Sequence, residues 1–415
     1  MKRLATWVCS GLLAIVLALP AEAQQPPLKI GFGMSLTGPL AGNGKAALIA
    51  MQIWQEDVNT RGGILGRKVE LVFYDDQTSP STVPGIYTKL LDVDKVDLIV
   101  SGYGTNVIAP AMPIVMQRNM TFMSLFGLNV NSKFNYDRYF QIMPSGPEPA
   151  IGWTQGYFDT AMALSPKPTT IALVGADAEY PALALDGARA QVKRTGLRVV
   201  YDKTYPPNTV DFSPIIRAIQ AANPDLVYVA SYPPDSAGLI RAANEVGLKT
   251  RMFGGGMVGP QFAALKTQLG PLLNGVVNYE TYVPELTGRF PVIDAFLGKY
   301  QSRAVKEGVD PLGFYLPPFA YAMMEVLEKA MVATKGLDQA KLAEYIHANT
   351  FDTVVGEVSF GKNGEWARGR MLAVQYHGIA GNDLTQWRNP GHVWVLAPKD
   401  FATGTVKAPF HENRK

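Results

Sequence analysis

From Leu28 onward, short β-rich runs alternate with helix-patterned stretches, and few folds accommodate that alternation. Strand-like runs at 28–32, 69–74, 98–101 and 121–125 are separated by helical patterns at 44–59, 83–92 and 107–117, the last containing proline. In the first helical stretch Ala47, Ala50, Met51, Trp54 and Val58 fall on one face, and Gly62-Gly63 ends it. Strands spaced by helices of this length imply right-handed crossovers and a parallel sheet. The segment 139–149 reads as a crossover, and a second series of similar size follows. Its strands are expected at 170–174, 197–201, 226–230 and 251–253, with 276–279 at the sheet edge. Its helices are expected at 183–195, 214–222 and 236–246, with Ser213 as N-cap and Pro214 at the first helical position. Long helices at 291–306 and 316–333, a shorter one at 338–348, and a β pair at 354–360 and 371–376 around Lys362-Asn363-Gly364 complete the pattern. Two comparable α/β units with helices left over imply that the chain returns to the first unit. No sequence repeat relates the two.

The N-terminus has a different character. Lys2-Arg3 precedes a mostly apolar stretch from Trp7 to Leu19, then Pro20 and Ala21-Glu22-Ala23 before Gln24. That is the order of an export signal cleaved near Ala23-Gln24, and the stretch falls short of the about 20 residues a membrane-spanning helix needs. Cys9 lies inside the apolar stretch, so the mature chain would carry no cysteine, which suits a bacterial periplasm. A formal charge of +3 and no Lys/Arg run longer than two argue against a nucleic-acid partner.

Chemistry is scarce. No Gly-x-Ser-x-Gly elbow and no P-loop occur, and His347, His377, His392 and His411 lack metal spacing. No catalysis, metal or cofactor is therefore expected. Asp75-Asp76 closes a strand, where its ordinary role is to bind neighbouring backbone. Residues 254–259 match Gly-x-Gly-x-x-Gly with Glu280 further on, but the strand before them is weak and Pro260 follows at once. A flexible loop allowing close backbone approach explains them better than a dinucleotide site. What remains is polar and aromatic material at the carboxyl ends of strands, where open α/β sheets bind ligands. One unit offers Ser35, Tyr103, Thr105, Asn106, Phe126 and Asn129; the other offers Tyr180, Tyr232 and the loop from Gly254. Hydroxyls and helix-start N–H groups suit a carboxylate, and aromatic faces suit an apolar body.

The runs 29–39, 62–68, 74–77, 211–215, 223–228 and 247–250, with Val393-Trp394, resemble the branched-chain amino acid-binding family over essentially the whole mature chain. These are type I periplasmic substrate-binding proteins of ABC importers. The resemblance implies an α/β fold of two Rossmann-like lobes with parallel sheets, joined by three hinge crossovers near 143–148, 279–285 and 365–369. It divides the chain into a signal peptide (1–23), lobe I (24–145 plus 283–366), lobe II (146–282 plus 367–400) and a tail (401–415). It also implies a monomer that closes on its ligand and docks on a membrane permease, with a receptor as the alternative partner. By resemblance, Thr105, Asn106, Asn129 and Val130 would meet a carboxylate, and Tyr180, Tyr232 and Tyr315 would line the cleft. Amino-acid binders place an acidic residue where this chain has Gly256, beside Met257. A buried ammonium without an anion is costly. The expected ligand is therefore a small carboxylate with an uncharged apolar or aromatic body, with branched-chain or other hydrophobic amino acids as the alternative.

Overall fold

The computed structural model describes residues 25–413; the expected leader and Cys9 lie outside the described residues. The first series comprises β1 (Leu28–Met34), α1 (Ala41–Thr60), β2 (Val69–Asp75), α2 (Val83–Asp92), β3 (Leu98–Tyr103), α3 (Thr105–Ile108), α4 (Met112–Gln117), β4 (Phe122–Leu125), α5 (Asn131–Phe134) and β5 (Tyr139–Gln141). Its five strands form an all-parallel sheet in the order β2-β1-β3-β4-β5. The second series comprises α6 (Pro149–Met162), β6 (Thr170–Ala176), α7 (Glu179–Thr195), β7 (Arg198–Tyr205), α8 (Ser213–Ala221), β8 (Leu226–Ser231), α9 (Pro233–Val246), β9 (Met252–Met257), α10 (Ala263–Leu269) and β10 (Val277–Glu280). There follow α11 (Pro291–Glu307), α12 (Pro317–Thr334), α13 (Gln339–Ala348), β11 (Phe351–Thr353), β12 (Gly356–Val358), β13 (Leu372–Tyr376) and β14 (Val393–Ala397). The second sheet runs β14-β13-β10-β9-β8-β6-β7, parallel except where β13 and β14 join antiparallel.

Both sheets are covered by helices, so their central strands read as continuous apolar runs rather than alternating ones. β1, β3, β6 and β8 are buried along almost their whole length. Each fully buried large aliphatic side chain there contributes about 1.5–3 kcal/mol. After β10 the chain does return to the first unit. There α12 lies on α1, with the Trp54 indole donating to Glu328 at 2.9 Å and the Tyr321 hydroxyl to Asp57 at 2.9 Å. The chain then re-enters the second sheet as β13. On the way, the Arg370 N–H donates to the Pro144 carbonyl at 2.7 Å, which sets the first and third passes side by side. Phe410, near the C-terminus, is buried and stacks on Phe253 at 5.1 Å.

Several local expectations need correction. The expected crossover at 139–149 begins as a strand, because β5 pairs in parallel with β4. The proline-bearing stretch at 107–117 is not one helix: Ala109–Ala111 form a 3-10 turn between α3 and α4. The cap of α8 is Phe212, one residue early, and Asp211 rather than Ser213 supplies the side-chain acceptor, to the Ser213 N–H at 2.9 Å. The expected loop at Gly254 is strand β9, running in register beside β8. Gly254 has φ +130, and a Cβ there would sit 1.9 Å from the Val277 carbonyl oxygen, so only glycine lets β10 approach. β10 lies inside the sheet, not at its edge. The turn at 361–365 exists, but β13 pairs with β10 and β14, while β11 pairs with β12.

Candidate functional site

Helices α1, α7 and α9 each follow a parallel strand, so their N-termini stand at the carboxyl edges of the sheets. Free N–H groups and the positive dipole end favour anions there. Residues from both edges meet in one cavity of about 20 Å³, lined among others by Leu40, Tyr103, Phe126, Trp153, Tyr180 and Tyr315. Thr105, Leu128, Met143, Tyr232 and Val258 complete most of its wall. Among the described residues, no acidic side chain borders it. The aromatic rings pack edge to face: Phe126 on Tyr315 at 5.2 Å and Trp153 on Tyr180 at 5.8 Å. The Tyr279 hydroxyl donates to Tyr315 at 3.3 Å, and Tyr315 is 3.2 Å from the Tyr103 hydroxyl, so one chain of phenols ties β10 to β3.

Beside this cavity lies a wider vestibule of about 620 Å³, and Leu40 and Tyr232 form walls of both. Asn106, Glu179 and Asp235 also border the vestibule. Burial pushes the Asp235 carboxyl up to about 6, although the Tyr205 hydroxyl donates to it at 3.2 Å. Glu179 is paired with Lys133 of α5 at 2.5 Å, an ion pair across the cleft. Burial also pushes the phenols of Tyr103, Tyr180, Tyr279 and Tyr315 well above their ordinary value, so each is a neutral hydroxyl.

The hydrogen bonds of the site are unevenly completed. Thr105 accepts from the Leu128 N–H at 3.0 Å, and the Tyr180 hydroxyl donates to the Gly256 carbonyl at 2.7 Å. The Trp153 indole N–H, directed at the Tyr180 hydroxyl but without a well-formed bond to it, and the hydroxyls of Tyr228 and Tyr232 are buried with no acceptor among the described residues, and the Asn106 side-chain oxygen is buried with no donor among them. Such groups cost about 1–3 kcal/mol each unless a partner arrives.

Of the twelve residues singled out in the sequence, Tyr103, Thr105, Phe126, Tyr180, Tyr232 and Tyr315 line the inner cavity, and Asn106 lines the vestibule. Gly256 lies behind the wall, reached through its carbonyl bond to Tyr180. The other four are elsewhere. Ser35 donates to Asp76 at 2.7 Å. Asn129 borders a separate 410 Å³ hollow with Asn363 and Glu365. Val130 is buried in the apolar cluster beneath β3 and β4. Met257 is pinned by Asn278, which binds both its N–H (3.0 Å) and its carbonyl (2.8 Å). Asp75 and Asp76 fasten the loop after β1. Although burial works against it, Asp75 is held below its ordinary range by the Thr37 hydroxyl and three backbone N–H groups. Glu280 is bound by Lys266 (2.9 Å) and Tyr376 (2.8 Å), and residues 254–257 are strand, so no dinucleotide turn forms. Sequence reasoning missed Trp153, Leu40 and Met143, while Leu128 and Val258 lay in the strand-end runs it picked out without being singled out as site residues. Trp153 follows no strand directly, and its spacing on α6 is that of a core residue.

Two sheets, one all-parallel and one mostly parallel, whose carboxyl edges face each other over a small aromatic cavity define a two-lobed α/β binding protein of the type I periplasmic class. A family profile described as periplasmic binding protein matches residues 27–381, and the chain belongs to that family. It is 26% identical over 360 residues to a leucine-, isoleucine-, valine-, threonine- and alanine-binding protein of Pseudomonas aeruginosa, spanning 84% of this chain and 90% of that one. A leucine-, isoleucine-, valine-, threonine- and alanine-binding protein from Brucella ovis, in closed conformation, superimposes with a TM-score of 0.73 at 21% identity, covering 92% and 97% of the two chains. A solute-binding protein of an ABC transporter from R. palustris, in complex with benzoate, gives 0.70 at 18% identity, covering 85% and 94%. The two structural likenesses establish the shared fold.

Proposed function

We propose that this chain captures a small carboxylate with an uncharged apolar or aromatic body between its two lobes and delivers it to the permease of an ABC importer. The observation that carries the proposal is the chemistry of the inner wall. It presents unpaired donors on Trp153 and Tyr232, seven aromatic side chains counting Tyr279, and, among the described residues, no acidic one. A carboxylate oxygen supplies the missing acceptor through charge-assisted bonds. An α-ammonium would be buried without an anion. An acidic residue cannot simply be introduced at Gly256, where a Cβ would stand 2.8 Å from the Tyr228 hydroxyl.

In this reading lobe I (24–145 plus 283–366) and lobe II (146–282 plus 367–400) hinge about the three passes between the sheets, with 401–415 as a tail. The protein works as a periplasmic monomer, without catalysis, after cleavage near Ala23-Gln24. Benzoate in the R. palustris neighbour favours an aromatic acid. The names of the curated relatives favour a second reading, a branched-chain amino acid. Native mass spectrometry of protein purified from its own cells separates the two. A co-purified carboxylic acid without an amine is expected; leucine, isoleucine or valine in the cleft would overturn the proposal.

A further inference from the structure

The two spaces of the cleft differ in size and in charge, and together they constrain the shape of the ligand. The inner cavity, about 20 Å³, admits roughly one water-sized group. The adjoining vestibule, about 620 Å³, falls in the range of small-molecule sites. Unpaired donors stand at the inner end, on Trp153 and on Tyr232, which with Leu40 is shared by both spaces. The vestibule wall carries the carboxyl groups of Glu179 and Asp235, and it carries apolar surface from both sides of the cleft. Pro39, Pro80 and Ala109 come from one side; Pro207 and Val210 come from the other. Val210 is 94% exposed, an apolar side chain at the vestibule rim that packs on nothing within its own chain's core.

A negative head group therefore gains partners at the inner end, whereas the outer wall is lined by no Lys or Arg among the described residues and offers only Asp235 and a Glu179 already paired with Lys133. An apolar tail gains cover only in the vestibule. From this polarity we infer that the ligand is an elongated monocarboxylate, such as an arylalkanoate, seated with its carboxylate at Trp153 and Tyr232 and its apolar end between Ala109 and Asn208. This rests on the carboxylate reading above and adds its length and direction. A second carboxylate at the far end would face Asp235 and the Lys133-paired Glu179, with no described Lys or Arg lining the vestibule to receive it, so dicarboxylates are selected against.

The test is isothermal titration of the mature protein with benzoate, phenylacetate, 3-phenylpropanoate, 4-phenylbutanoate and leucine. Each methylene buried in the vestibule is worth about a fourfold gain, so affinity should rise at least tenfold from benzoate to 4-phenylbutanoate. Ala109→Trp and Asn208→Trp fill the vestibule from opposite sides and should each bring that ratio below threefold. Asn208 lies on an exposed loop, so this variant serves if Ala109→Trp fails to fold. Affinity that is flat or falls with length overturns the inference and leaves the carboxylate reading standing. Binding of leucine with none of the four acids overturns both.

Discussion

The two sides of the cleft are built from the same kind of sheet, yet they finish their hydrogen bonds differently. On the first-sheet side Tyr103 is bonded to Tyr315, Thr105 accepts from Leu128, and Ser35 is spent on Asp76. On the second-sheet side the indole of Trp153 and the hydroxyls of Tyr228 and Tyr232 are buried and unspent. The first side leaves an acceptor unspent, the Asn106 oxygen, while the other holds donors in reserve. Family resemblance places the carboxylate on the first lobe; the donors left free on the second-sheet side are the ground for proposing it there. The difference teaches that strand-end position tells where a ligand sits, while the partner already taken by each polar atom tells what remains to bind it.

That asymmetry can be broken by removing donors one side at a time. Trp153→Phe and Tyr232→Phe each delete a donor while keeping a ring, and each should weaken carboxylate binding about 10- to 100-fold by calorimetry. Tyr103→Phe on the first-sheet side, where the hydroxyl is already bonded to Tyr315, should change it less than threefold. Equal losses on both sides would abolish the distinction.

A second effect sharpens the steric part of the comparison. Gly256→Ala places a methyl 2.8 Å from the Tyr228 hydroxyl and 3.1 Å from the Val229 carbonyl. It should cost about 1–3 kcal/mol in denaturant unfolding. Tyr228→Phe in the same chain removes the nearer oxygen and should recover part of that loss. Additive losses in the double mutant would show that the hydroxyl is not the obstacle.

Asp235 offers a pH-dependent test of the second-sheet side. Burial raises its folded pKa from 3.8 to about 6, so the folded chain holds the proton more tightly than the unfolded one. Its stabilising contribution is complete below 3.8 and is lost as pH rises through about 6. The groups that face it are the Tyr205 hydroxyl and, across the vestibule, Glu179 with Lys133. Asp235→Asn should therefore be more stable than wild type at pH 7.5, by up to about 3 kcal/mol, and should lose that advantage near pH 4. A constant difference across the range contradicts this assignment. The smallest effect belongs to the Lys133–Glu179 pair, which is about half exposed at the lysine. Lys133→Met should change stability by less than about 1 kcal/mol.

Much of this fold was legible in the sequence because period and composition agree over long stretches. α2 was expected at 83–92 and lies at Val83–Asp92. The failures have physical causes. β9 reads Met-Phe-Gly-Gly-Gly-Met, which has the propensity of a loop, and it is a strand because β8 and β10 press on it from both sides. The partners of β13 lie about a hundred residues away and nearby in the chain, and local pattern cannot choose between them. In the site, aromatic residues at strand ends were legible. Ser35 stood at the correct strand end, but its fate depended on Asp76, 41 residues away. Trp153 was hidden by its place on an amphipathic helix.

The central claim, that this cleft receives a carboxylate and refuses an α-ammonium, is tested most directly by one matched pair. 3-Phenylpropanoate and L-phenylalanine share a carbon skeleton and differ by the ammonium group. Titrated calorimetrically into the mature protein, 3-phenylpropanoate should bind at least a hundredfold more tightly, since the described residues lining the inner cavity include no acid, Glu179 of the vestibule is already paired with Lys133, and burial favours the neutral form of Asp235. Equal affinity, or tighter binding of phenylalanine, would contradict it.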